Sequence, residues 1–146
     1  MGSSLQKGFL NITFLPAGKE YDSGFQGERY RIIGEDDVGS LVGEAKDGTV
    51  YLLDTTEGAE YPLVYFARDR KTLAAAVRIY RRHRGMAMAA ATLGALLHRG
   101  GDNEEERARK EAAGLKKRLC ALDPEMFRDD FTFWSPLLDE IEWGMI

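Results

Sequence analysis

An α+β fold is what this sequence predicts: an antiparallel sheet of four to five strands in the N-terminal half, packed against C-terminal helices. Three observations lead there. Before residue 66, short runs alternate apolar and polar residues with the period of two that half-buried strands show. From Asp69 the period becomes helical, with Leu73, Ala76, Val77 and Tyr80 at i, i+3, i+4 and i+7. Finally, 44% apolar and 30% charged residues over 146 positions is the composition of one ordinary globular domain, residues 1–146.

Leu10 to Phe14 is the first strand-like run and Tyr30 to Ile33 the second. Leu41 to Ala45 and Thr49 to Leu53 flank Lys46-Asp47-Gly48. Asp-Gly between two such runs signals a hairpin, because both residues tolerate φ > 0. Tyr61 to Phe66 completes the sheet. Its Pro62 has no N–H to give to a ladder, so this run lies at an edge or begins its strand there.

In the helical half, Asp69 or Thr72 caps the first helix and Gly85 stops it. Met86 to Leu97 is Ala/Met-rich and helical by propensity, with little patterning. His98 to Asn103 reads as a loop. Asp102 or Asn103 caps the next helix, which opens on Glu104-Glu105-Glu106, where the helix dipole favours acids. Its apolar line runs through Ala108, Ala112, Leu115, Leu119 and Leu122, and Asp123-Pro124 ends it. The last helix carries Phe131, Trp134, Leu138 and Ile141 on one face, with Ser135 as cap and Pro136 in the first turn.

Charge is laid out in blocks. Residues 1–66 hold 5 Lys/Arg against 11 Asp/Glu, residues 67–118 hold 14 against 6, and residues 119–146 hold 1 against 7. An acidic front and end thus flank a basic middle. These blocks either neutralise one another within the fold or present separate charged faces.

Several function classes drop out. Cys120 is the lone cysteine, so an intrachain disulfide is excluded; between Leu119 and Ala121-Leu122 it reads as a small core residue. The N-terminus lacks a basic segment followed by an apolar one, and no apolar run reaches membrane-span length. The chain reads as a soluble, cytosolic protein. His83 and His98 are the only histidines, and His83 lies in Arg81-Arg82-His83-Arg84, where positive neighbours oppose metal binding. Glu35-Asp36-Asp37 has no EF-hand spacing and reads as a solvated turn. Gly34 to Gly39 lacks the Gly-Lys-Ser/Thr ending of a phosphate loop, and its three acids repel phosphate. No catalytic residue, metal or cofactor is assigned. Arg78 to Arg84 is a basic cluster containing Tyr80, which makes a nucleic-acid binder a minor reading. Against it stand a sequence pI of about 5.3 and the acidic flanks. The bland alternative is a helix end whose cations pair with the acidic sheet region.

Two stretches carry a resemblance. Tyr30-Arg31-Ile32-Ile33-Gly34-Glu35-Asp36, continued by Asp47-Gly48-Thr49-Val50-Tyr51-Leu52-Leu53-Asp54, is similar to the strand pair of the SUKH superfamily, and most closely of its fourth subgroup of bacterial immunity proteins. Leu122-Asp123-Pro124-Glu125, followed by Phe133-Trp134-Ser135-Pro136-Leu137-Leu138-Asp139-Glu140-Ile141-Glu142-Trp143-Gly144, resembles that family's closing helix. With the helix after Tyr61 to Phe66, the resemblance spans most of residues 28–144. These motifs are strand, turn and helix signals, not catalytic residues.

The resemblance implies a SUKH-like α+β fold and an immunity protein of a polymorphic toxin system. Such a protein stays in the producing cell's cytoplasm and neutralises a cognate toxin, commonly a nuclease or nucleic-acid-modifying enzyme, by occluding its active cleft. Acidic faces suit a basic cleft and speed encounter with it. The candidate partner-binding residues are Glu35, Asp36, Asp37, Glu44 and Asp47 near one sheet edge, and Asp139, Glu140, Glu142 and Trp143 at the end of the chain. An aromatic beside carboxylates suits an anchor with a polar rim. The alternative from another class is a regulatory or scaffolding module that binds a cellular protein without blocking an enzyme.

Overall fold

Alternation in the N-terminal half becomes six strands: β1 (Ile12–Phe14), β2 (Tyr21–Phe25), β3 (Glu28–Asp36), β4 (Leu41–Glu44), β5 (Val50–Leu53) and β6 (Leu63–Ala67). The computed structural model describes residues 9–96 and 104–145. All pairings are antiparallel, in the order β1-β3-β4-β5-β6, which puts β6 at an edge just after Pro62. The long β3 carries two short strands on its other flank, β2 against Glu28 to Ile32 and β1 against Gly34 to Asp36. The expected antiparallel sheet is therefore present, with β2 as a strand the sequence pattern did not announce. Tyr21-Asp22-Ser23-Gly24-Phe25 is mostly exposed and has no apolar face of its own. Its register comes from the turn, where Gln26 and Gly27 both have positive φ as the hairpin turn requires, and from a cross-strand Arg31–Asp22 contact at 3.3 Å.

The β4–β5 hairpin forms where Asp-Gly predicts it, but only Gly48 takes positive φ, at +94°. The Ala45 N–H donates to the Thr49 carbonyl at 2.8 Å, closing a three-residue loop instead of a two-residue one.

Period two then sorts the side chains. Val50 and Leu52 join the main core under the helices, Leu53 turns to the opposite face, and Tyr51 packs against both clusters. There Tyr30, Ile32 and Leu53 form a second small cluster with Leu15, Phe25 and Leu41, so both faces of the curled sheet are covered. Gly43 makes this possible: a Cβ on it would lie 2.8 Å from Leu53 Cδ1.

Three helices cover the main core: α1 (Arg70–Leu96), α2 (Glu104–Leu122) and α3 (Trp134–Glu142). Asp69 caps α1, its Oδ1 accepting the Thr72 N–H at 2.7 Å. Gly85 does not stop this helix. It sits exposed in mid-helix, and the Ala/Met-rich stretch beyond has enough propensity to carry the helix through the roughly 1 kcal/mol a glycine costs. The loop expected at His98 to Asn103, with its capping residues, lies outside the described residues.

Ala112, Leu115 and Leu119 of α2 are buried as their spacing predicts, with Ala108 and Leu122 half-buried. Arg84 ties α1 to α2 by donating to both carboxylate oxygens of Glu111, at 2.9 and 2.8 Å. Arg70 reaches the acids of the sheet region, donating to Glu20 and to Glu44 at 2.9–3.0 Å. A positive side chain at a helix N-terminus opposes the dipole, and this double carboxylate clamp offsets it.

Trp134, Leu137, Leu138 and Ile141 form the buried face of α3. Phe131 is not on that face; it precedes the helix and remains exposed. Nor does the Ser135 side chain cap α3. The Thr132 hydroxyl accepts the Ser135 N–H at 3.3 Å and is itself anchored by donating to the Met126 carbonyl at 2.6 Å.

Candidate partner-binding surfaces

Several residues of the quoted motifs hold the fold. Asp123 is 1% exposed, and its carboxylate accepts the Tyr65 hydroxyl at 2.7 Å, the Arg68 N–H at 3.0 Å and the Glu125 N–H at 3.1 Å. A buried charge needs such compensation. Burial and this hydrogen bond together push the Tyr65 hydroxyl well above its usual range. The Arg128 guanidinium lies over the Tyr65 ring, 4.7 Å from its centre. Trp134 donates its indole N–H to the Phe66 carbonyl at 2.7 Å, and Phe133 stacks on the Phe66 ring at 4.1 Å.

The first acidic set does not gather at one edge. Register places Glu35 opposite Leu41, where β4 begins, while Glu44 ends β4 and Asp47 is in the hairpin beyond it. Glu35, Asp36 and Asp37 thus lie at one end of β4, and Glu44 and Asp47 at the other. Most of them also have structural work. Asp36 accepts the Val38 and Ser40 N–H groups at 3.1 and 2.7 Å, shaping its own turn. Asp37 accepts from the Asn11 side-chain amide at 2.8 Å, and Glu44 is held by Arg70. Asp47 accepts the Thr49 N–H at 3.0 Å, a bond that holds its carboxyl below the usual carboxylate range. Glu35 is exposed, and its side chain makes no hydrogen bond or ion pair among the described residues.

The second set is divided by α3. Asp139 and Glu142 line an open groove of about 490 Å³ between α2 and α3. Arg109, Lys116 and Arg128 line the same groove, as do Asp129 and Asp130, so its charge is mixed. Glu140, one position on, faces the other flank of the helix. Trp143 ends α3 and is 76% exposed, far more than an aromatic side chain with a packing role would be.

Glu140 opens onto a feature that periodicity did not reveal. A groove of about 430 Å³ runs between the β5–β6 end of the sheet and α3. Leu52, Val64, Phe133 and Leu137 line it, with Tyr61 and Phe131 to one side. Those two rings stack at 4.4 Å and 19°, although they are 70 positions apart and both lie outside regular elements. Tyr61 precedes Pro62 and Phe131 follows Asp129-Asp130, and neither local signal points to the other ring.

Elsewhere the chemistry is modest. Cys120 is half-buried on α2, not in the core proper. Burial lowers the His83 pKa, and Arg118 and Arg82 lower it further. Among the described residues no three His, Cys, Asp or Glu side chains gather closely enough to hold a metal ion. No helix of the described residues is long and apolar enough to cross a membrane.

Neither a curated protein nor a solved structure matches the chain significantly. The family model described as SUKH-4 immunity protein matches residues 11–140. That stretch begins at β1 and ends within α3, taking in the whole sheet, the Asp123 network and the Trp134 anchor. The chain belongs to the SUKH-4 immunity protein family.

Proposed function

We propose that this chain protects its producing cell by binding a cognate polymorphic toxin, a nuclease or nucleic-acid-modifying enzyme, and occluding its active cleft. It does so as a binding protein in the cytoplasm, without catalysis of its own. Membership of an immunity-protein family supplies the class of partner. The observation that carries the placement is Trp143, which stands 76% exposed at the end of an α3 rooted by four buried side chains. A rigid, exposed aromatic flanked by Glu140 and Glu142 fits an anchor with a charged rim, and the acids suit a basic cleft. Glu35 at the far end of the sheet adds negative potential that steers encounter.

Co-expression with toxin domains encoded in adjacent reading frames tests this directly. The expected outcome is recovery of a stable complex and survival of cells carrying the toxin. Failure of every adjacent domain both to bind and to be neutralised would overturn the proposal. Loss of the partner's activity on binding separates immunity from a scaffolding role.

A further inference from the structure

We infer that the apolar groove between β6 and α3 is an anchor pocket for the toxin, taking an apolar side chain whose chain neighbours are Lys or Arg. This rests on the toxin-binding reading above and adds the place and the chemistry of the contact.

The groove is an opening in the flank of the main core. Leu52 and Val64, partners across the β5–β6 ladder, form its sheet side, and Leu137 and Phe133 form its helix side. Its rim stays bare, with Phe131 53% and Tyr61 45% exposed while stacked on one another. Exposed aromatics clustered around a concavity mark an interaction site more than a solvent-facing surface. The sheet also ends there, because among the described residues no strand pairs with the outer side of β6. Along that edge the Phe133 N–H donates to the Tyr65 carbonyl at 2.9 Å.

Charge selects the occupant. Asp130 and Glu140 both line the groove, which holds no cationic side chain. Neither has an ion pair among the described residues. The neighbouring groove on the other flank of α3, which Asp130 also lines, already holds Arg109, Lys116 and Arg128, so Glu140 is the acid set apart from cations. A second copy of this chain is a poor occupant, because two such rims would bring like charges together. A basic partner with an apolar side chain satisfies both the walls and the rim, and basic is what a nucleic-acid-cleaving cleft must be.

The test uses the purified toxin domain from the adjacent reading frame, inactivated at its catalytic site, titrated calorimetrically with three forms of the full chain. Replacing Tyr61→Ser and Phe131→Ser together is expected to weaken binding about 30-fold or more, with an unchanged melting curve. Glu140→Lys is expected to weaken it about tenfold and to slow association at low salt. If the double variant melts early, the single change Phe131→Ser, at a position 53% exposed, decides in its place. Wild-type affinity in both variants would overturn the pocket and leave the immunity reading standing. Absence of toxin binding by the wild-type chain would overturn both. A wild-type dimer converted to a monomer by the double variant would assign the groove to a second copy and overturn the inference.

Discussion

The Tyr65 hydroxyl donates to the buried Asp123 carboxylate at 2.7 Å, across 58 positions of sequence. This bond fixes the end of α2 to β6, and the same carboxylate holds the Arg68 and Glu125 N–H groups. Asp123→Ala leaves the buried Tyr65 hydroxyl and the Arg68 and Glu125 N–H groups without this acceptor, and about 3 kcal/mol of stability is expected to go with them. Tyr65→Phe removes one donor and is expected to cost about 1 kcal/mol. Urea titration of both variants checks the ranking, which fails if the tyrosine change proves the more damaging.

Arg70 joins the start of α1 to Glu20 of the turn before β2 and to Glu44 of β4. Its side chain is 36% exposed, so solvent screens the pairs and the loss in Arg70→Met is expected to be about 1–2 kcal/mol. The loss shrinks in 1 M salt, where the screening length is about 3 Å. Equal losses in 0.1 M and 1 M salt would mean that packing, not charge, holds this junction.

Two glycines are expected to respond in opposite directions. Gly43→Ala places a Cβ 2.8 Å from Leu53 Cδ1 and 3.1 Å from Tyr30 Cβ, and overpacking there should cost about 1–3 kcal/mol. Gly85→Ala meets nothing within 4 Å in an exposed helix interior and should stabilise by about 1 kcal/mol. Thermal melts of the pair report both. A destabilising Gly85→Ala would contradict a helix continuous through that position.

Burial, Arg118 and Arg82 depress the His83 pKa in the folded chain below its unfolded value of about 6.5. Between those two values the unfolded chain binds more protons, so stability rises with pH through the window and falls as pH drops below about 6.5. His83→Gln removes this dependence, and the variant is expected to lose less stability than the wild type between pH 7 and pH 5. Parallel pH curves for the two would show that the imidazole is equally solvated in both states.

Trp143 is exposed and makes no ring contact among the described residues, so Trp143→Ala should leave the melting temperature unchanged. If it anchors the partner, binding of the toxin should weaken by about 2 kcal/mol or more. Unchanged affinity would move the interface away from the end of α3.

Much of this architecture was legible residue by residue. Leu73, Ala76, Val77 and Tyr80 carry their helix in their spacing, and Asp47-Gly48 carries its turn in its chemistry, because both signals act within a few positions. The motif residues Asp123 and Trp134 were equally visible, although their task is to hold β6 to the helices rather than to meet a partner. The candidate acids show the limit. Glu35 and Asp47 looked like neighbours until the register of β4 separated them, and Asp139 and Glu140, adjacent in sequence, open onto different grooves because successive helix positions point about 100° apart.

By itself, then, the sequence determined the α+β class, most strand and helix positions, and the family, since each rests on local periodicity, turn chemistry or a contiguous motif. Only the tertiary structure decided the rest. The exposed β2 exists because β3 offers it a ladder. Arg70 reaches Glu20 across 50 positions. The Tyr61–Phe131 wall forms only when a loop before β6 meets a loop before α3. Contacts of that range depend on how the whole chain closes on its core, and no window of neighbouring residues encodes them.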